Sequence, residues 1–292
     1  MAGAGEKTTR RSVLIVAAVV FLLTTGGMIA IGMAWAGDLR QPQVVLVGSG
    51  HRLSVLVTAG EARLLIATGD DATAFGNGLE QVRHPTTRRL DVLLVAGRGS
   101  DLIAPAAIRD DRHVRYAASI GPLASSAAAD ALGGDILPVL PTPRRIQLDE
   151  DVSVVVERVE RAAVESGEQS ELAWRATVRH GSTTVVIVSE GTAAALFPSV
   201  GPVAALVVAG PHVMEAWASV PAPVLVAPGE DTILSGQTLR EGAARLFTES
   251  HWAIRVHPGE AFALRFVAGG LEVPREPAQA VPGTPGEVNH GA

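Results

Sequence analysis

Residues Ser12 to Ala36, SVLIVAAVVFLLTTGGMIAIGMAWA, carry no charged side chain, a run long enough to cross the apolar core of a bilayer as a helix. After Gly37 the pattern changes to short apolar runs separated by Gly, Pro and Asp. Runs of this kind predict strands at Val44–Val47, Arg52–Thr58, Ala62–Ala67, Val92–Ala96, Val152–Val159, Trp174–Arg179, Thr184–Ser189, Ala205–Ala209, Val224–Ala227, His251–Val256 and Phe262–Val267. Alanine-rich stretches predict helices at Asp71–Arg83, Leu123–Ala131, Met214–Ser219 and Thr238–Leu246. Strands and helices mixed in this order indicate an α/β or α+β layered domain over residues 37–273.

Two features organise that domain. The polar stretch Ala162–Glu171, AAVESGEQSE, lies between two alternating runs and reads as a hairpin loop. Leu64–Phe75, LLIATGDDATAF, is echoed by Val185–Phe197, VVIVSEGTAAALF, and LLVAG at Leu93–Gly97 by LVVAG at Leu206–Gly210. Two stretches that each read strand, polar turn, alanine-rich segment, strand and glycine suggest a duplicated architecture. Residues 274–292 are rich in Pro and Gly without an apolar period, and form an expected disordered tail.

Charge then orients the chain. Lys7, Arg10 and Arg11 precede the long apolar run, so the positive-inside rule places residues 1–11 in the cytoplasm, residues 12–36 in the membrane and the domain outside. Ala34-Trp35-Ala36 also fits a signal-peptidase site, and cleavage after Ala36 would release a secreted domain. The uncleaved anchor is preferred, because the apolar run exceeds the roughly 7–15 residues of a signal-peptide core.

Of 24 Lys and Arg, three stand before residue 37, while Glu6 alone of the 30 acids does. The remainder is therefore more acidic than the whole chain, and a nucleic-acid partner is disfavoured. Cysteine is absent and Lys7 is the single lysine, which excludes thiolate chemistry, sulfur-ligated metal, and phosphate-binding or Schiff-base lysines in the domain.

The stretch Leu64–Ala106 contains Ile66-Ala67-Thr68-Gly69, then Leu90-Asp91, then Ala96-Gly97-Arg98-Gly99-Ser100-Asp101-Leu102. It resembles the first half of a metallo-β-lactamase-fold domain, closest to the extracytoplasmic C-terminal domain of ComEC-type competence proteins. That family has Ile-Asp-x-Gly at the first strand end and Thr-His-x-His-x-Asp-His at the second. Pro221–Phe247 and Trp252–Val273 resemble its closing strand, helix and hairpin. The resemblance implies a four-layer αββα sandwich behind one transmembrane helix.

It also implies a degenerate site. Gly97, Gly99 and Leu102 stand where the family has histidines, Asp101 stays, and Gly210 and Pro211 replace a histidine pair. The implied cleft comprises Ala67, Gly97, Gly99, Asp101, Leu102, Glu190, Gly210 and His212. With no HxH or HxxxH among the eight histidines, neither a metal nor any other cofactor is expected. Asp70 and Asp71 read as caps of the following helix, and Asp101 as a cap of the turn after Gly97 and Gly99.

The expected function is a non-catalytic, membrane-anchored domain that acts by binding or assembly on an unidentified protein or small molecule. The alternatives are a hydrolase with a rearranged site of Asp70, Asp101 and His212, or an accessory to DNA uptake.

Overall fold

The computed structural model describes residues 41–81, 89–97, 99–111, 113–123, 130, 132, 137–160, 172–190, 202–210, 213, 222–229 and 252–273. The expected membrane segment, the helices at Met214–Ser219 and Thr238–Leu246, nearly all of the one at Leu123–Ala131, the Ala162–Glu171 loop, His212 and the tail lie outside them. Among the described residues no helix is long and apolar enough to cross a membrane.

The first half of the domain is β1 (Gln43–Ser49), β2 (Arg52–Ala59), β3 (Ala62–Ala67), α1 (Ala72–Gln81), β4 (Arg89–Val95), α2 (Ile103–Asp111) and β5 (His113–Ser119). The second is β6 (Arg144–Gln147), β7 (Val152–Glu160), β8 (Leu172–His180), β9 (Thr183–Val188), β10 (Ala205–Val208), β11 (Val224–Pro228) and β12 (Trp252–Val256). A closing hairpin, β13 (Ala261–Val267) and β14 (Gly270–Glu272), returns to the first sheet beside β1. Two seven-stranded mixed sheets result, ordered β14-β13-β1-β2-β3-β4-β5 and β12-β11-β10-β9-β8-β7-β6.

The sequence echo is an echo of topology. In the first sheet β1/β2 and β2/β3 are antiparallel, and β3/β4 and β4/β5 parallel. In the second, β7/β8 and β8/β9 are antiparallel, and β9/β10 and β10/β11 parallel. The register keeps the match at residue level: Leu65, Ile66 and Ala67 face Leu93, Leu94 and Val95, as Val186, Ile187 and Val188 face Leu206, Val207 and Val208. Beyond each pair the chain is pinned alike, Ala96 N–H donating to the Ala67 carbonyl at 3.0 Å and Ala209 N–H to Val188 at 2.7 Å. β7 and β8 are themselves antiparallel neighbours, paired from Val152↔His180 to Glu160↔Leu172.

The sheets pack face to face, β2 over β11 and β1 over β12. Alternate residues such as Val44, Leu46, Leu64, Ile66, Val185, Ile187, Val207 and Val226 fill the space between them. The opposite face of the first sheet, with Val45, Val47, Leu65 and Leu93, packs with Phe75 and Leu79 of α1 and Ala104 and Ile108 of α2. Central strands thus bury both faces, which is why they read as unbroken apolar runs. Three layers, helix, sheet and sheet, are described. Val186, Leu206 and Leu225, on the far side of the second sheet, are buried too.

Three strands and one helix escape the hydrophobic pattern. β5 and β6 are sheet edges, largely polar and exposed, as HVRYAAS and RRIQ show, and β14 has only three residues. α2 carries Pro105 in its first turn, a position where no amide hydrogen bond is lost.

Candidate functional site

The equivalent strand ends, and the turn between β1 and β2, meet at one end of the sandwich. The turn is fixed by buried hydroxyls: the Thr68 carbonyl accepts from Ser49 Oγ at 2.6 Å and from Ser54 Oγ at 2.7 Å. Ser54 Oγ in turn accepts from the Thr68 amide at 3.0 Å. In the second half Ser189 has the same task, its Oγ accepting from Trp174 N–H at 3.0 Å. A backbone bond ties the halves across the cleft, Leu53 N–H to the Ala209 carbonyl at 2.9 Å.

Arg52, the first residue of β2, reaches into this junction. Its Nη2 lies 3.2 Å from Asp101 Oδ2 and its Nε donates to Oδ1 at 3.4 Å, a two-pronged guanidinium–carboxylate contact. Its Nη1 donates to the Ser189 carbonyl at 3.2 Å. The side chains of Arg52 and Asp101 are 19% and 13% exposed, so the pair is largely withdrawn from solvent. One cation therefore links the first half's Asp101 with the second half's strand end.

Two glycines make room for it. A Cβ at Gly210 would lie 2.1 Å from Arg52 Nη1 and 2.4 Å from the Ser189 carbonyl oxygen. Gly97 has φ +126°, and a Cβ there would lie 2.5 Å from Asp101 Cβ. A side chain at either position would displace the pair, and at Gly97 the backbone itself disfavours an L residue.

His51, next to Arg52, bridges the outer carboxylates. Its Nδ1 is 3.0 Å from Asp70 Oδ2 and its Nε2 is 3.4 Å from Asp101 Oδ1. At 47% side-chain exposure it forms the solvent side of the cluster.

The sequence-derived cleft separates into two environments. Gly97, Asp101 and Gly210 adjoin the Arg52 guanidinium or its partner. Glu190 follows Ser189 and is 4% exposed, and Gly99 opens the short 3-10 turn Gly99–Leu102 that carries Asp101. Ala67 and Leu102 point the other way, into the apolar layer beneath the helices with Phe75 and Leu79. The reason is strand parity: Ala67 follows Leu65 on the helix-facing side.

The capping assignments need correction. Asp71 does cap α1, Oδ1 accepting from Ala74 N–H at 2.8 Å. Asp70 instead pairs with His51, and the Asp101 carboxylate, expected to cap its turn, is turned to Arg52 and His51. Arg52 and His51 carry no motif, so pattern reading passes over them. The available signal was an arginine heading the buried strand RLSVLVTA, since a cation at the mouth of a buried strand calls for an acceptor.

These residues do not fit a catalytic metal. Gly97, Gly99 and Gly210 offer no side-chain donor, Asp101 is engaged by the guanidinium, and the two His51 nitrogens face different carboxylates. Among the described residues no three His, Asp or Glu side chains are grouped to hold an ion.

No known protein-family profile matches the chain. No curated protein matches it either. Among solved structures, similarity is found to an isothiocyanate hydrolase from Delia radicum gut bacteria, at 10% identity and TM-score 0.48, over 77% of this chain and 99% of that one. The diiron β-hydroxylase CmlA from Streptomyces venezuelae gives 12% identity and TM-score 0.46, over 78% of this chain. The chain spans 54% of the length of that hydroxylase. The Rm3 metallo-β-lactamase gives 15% identity and TM-score 0.40, over 61% of this chain and 79% of that one. Likeness at these levels says nothing of chemistry, and the functional reading rests on the residues described above.

Proposed function

We propose that this chain is a membrane-anchored, extracytoplasmic domain of metallo-β-lactamase type whose metal position has passed to an arginine, and that it acts by binding or assembly rather than by catalysis. The observation that supports this reading is the Arg52 guanidinium, held by Asp101 and the Ser189 carbonyl against Gly210. In a metal-dependent site of this fold a dication would gather ligands from both halves and activate water. A guanidinium gathers acceptors from both halves too, but it stays protonated at any physiological pH and has no open coordination position. It can fasten the halves together, and it cannot generate hydroxide.

The hydrolase alternative loses ground on the same contacts, because Asp70 and Asp101 are both committed to His51 and Arg52. The competence-protein likeness would make DNA a partner, which the acidic composition beyond residue 37 opposes.

Metal analysis of the purified chain after desalting tests the proposal. Zinc, manganese and iron are expected far below one per chain, with thermal stability unchanged by a chelator. A stoichiometric metal that is lost in Asp101→Ala would overturn it.

A further inference from the structure

The cleft is built for one shape of cation. Its acceptors are Asp101 Oδ1 and Oδ2 and the Ser189 carbonyl oxygen, at 3.4, 3.2 and 3.2 Å from three different nitrogens of Arg52. Each nitrogen of the planar fork thus has its own acceptor, an arrangement that a compact ammonium, with its donors on one atom, cannot reproduce. Space is allotted to match: the two glycines withhold Cβ atoms that would intrude on the guanidinium and on its carboxylate. The walls that set these acceptors are held independently of Arg52. Gly69 N–H donates to the Asp101 carbonyl at 2.8 Å, Ser189 is clamped to Trp174, and Leu53 N–H reaches Ala209.

We infer that the cleft is a guanidinium receptor whose resident ligand is the chain's own Arg52, and that the same acceptors bind a free guanidinium-class cation when that side chain is removed. The inference rests on the proposed reading of the cleft as filled by Arg52. It adds the chemical class that the cleft recognises. Its ligand is a planar cation carrying N–H donors on separate nitrogens, such as guanidinium or methylguanidinium, and not a divalent metal.

The test uses the full chain with Arg52→Ala and low millimolar guanidinium chloride, with sodium chloride and tetramethylammonium chloride at equal ionic strength as references. Guanidinium is expected to raise the thermal midpoint of Arg52→Ala saturably, by about 3–5 °C at ten times its Kd. Tetramethylammonium, which has no N–H donor, should not. Wild type, its receptor occupied, and Arg52→Ala combined with Asp101→Asn should both fail to respond. No saturable shift in Arg52→Ala, or an equal shift in wild type or the double variant, would overturn the receptor. If zinc stabilises Arg52→Ala more than guanidinium does, the assigned cation class is wrong.

Should Arg52→Ala not accumulate as folded protein, methylguanidinium during refolding is expected to raise the folded yield at least about threefold over sodium chloride, and equal yields would overturn the proposal. Zinc bound stoichiometrically by wild type contradicts the functional reading instead. The two failures are therefore read on different proteins.

Discussion

The two halves of the domain follow one strand plan and bring different things to the cleft between them. The first half supplies all four charged or titratable side chains of the described cluster: His51, Arg52, Asp70 and Asp101. Around the Arg52 guanidinium the second presents backbone and space, in the Ser189 and Ala209 carbonyls and the bare Cα of Gly210, with the buried Glu190 next in the chain after Ser189. Equivalent strand ends have become unequal. Gly97 admits an acid to the cleft and Gly210 admits the base that neutralises it. The lesson is that two halves of one strand plan can be joined by a single multi-donor cation that takes a carboxylate from one half and a backbone carbonyl from the other.

The sharpest way to break this asymmetry is to remove the spanning cation. Arg52→Ala leaves the Asp101 carboxylate, 13% exposed, without its main partner, and is expected to cost about 2–4 kcal/mol of stability, read by chemical denaturation. A loss under about 0.5 kcal/mol would mean that the pair contributes little to joining the halves.

Next come the two glycines. Gly97→Ala imposes an L side chain at φ +126° against Asp101 and should cost about 2–3 kcal/mol. Gly210→Ala meets Arg52 and the Ser189 carbonyl, with a cost of about 1–3 kcal/mol. The comparison predicts that adding Arg52→Ala relieves part of the Gly210→Ala cost and leaves the backbone cost of Gly97→Ala in place. Equal relief at both would erase the distinction between acid side and base side.

Where the halves are alike, their variants should be alike. Ser54→Ala frees the Thr68 amide and Ser189→Ala frees the Trp174 amide, both buried, and each is expected to cost about 1–2 kcal/mol. A much larger loss in one half would show that its strand end carries more of the junction. The smallest effect belongs to His51→Ala, below about 1 kcal/mol, because a half-exposed polar contact is screened by solvent.

How much of this the sequence discloses follows from burial. Central strands such as β1 (QVVLVGS) and β9 (TTVVIV) are apolar on both faces and declare themselves in any window. β5 and β6 do not, because a sheet edge needs only one packed face and their exposed arginines hide it. In the site, Gly97, Asp101 and Gly210 stand out through the family likeness of their motifs, and they lie beside Arg52 or its partner. Arg52 itself does not stand out, since its partners lie 49 and 137 residues away and no local spacing encodes a contact made by packing two sheets. Ala67 and Leu102 were misplaced for a related reason: adjacency to a strand end does not say which face a side chain takes.

The claim at the centre of this account is that a part-buried guanidinium–carboxylate pair closes the cleft. A double-mutant cycle with Arg52→Met and Asp101→Leu, measured by denaturant unfolding of the purified chain, tests it most directly. The account predicts a coupling of about 1.5–3 kcal/mol, with the double variant recovering much of what either single variant loses. Additivity within about 0.5 kcal/mol would contradict it.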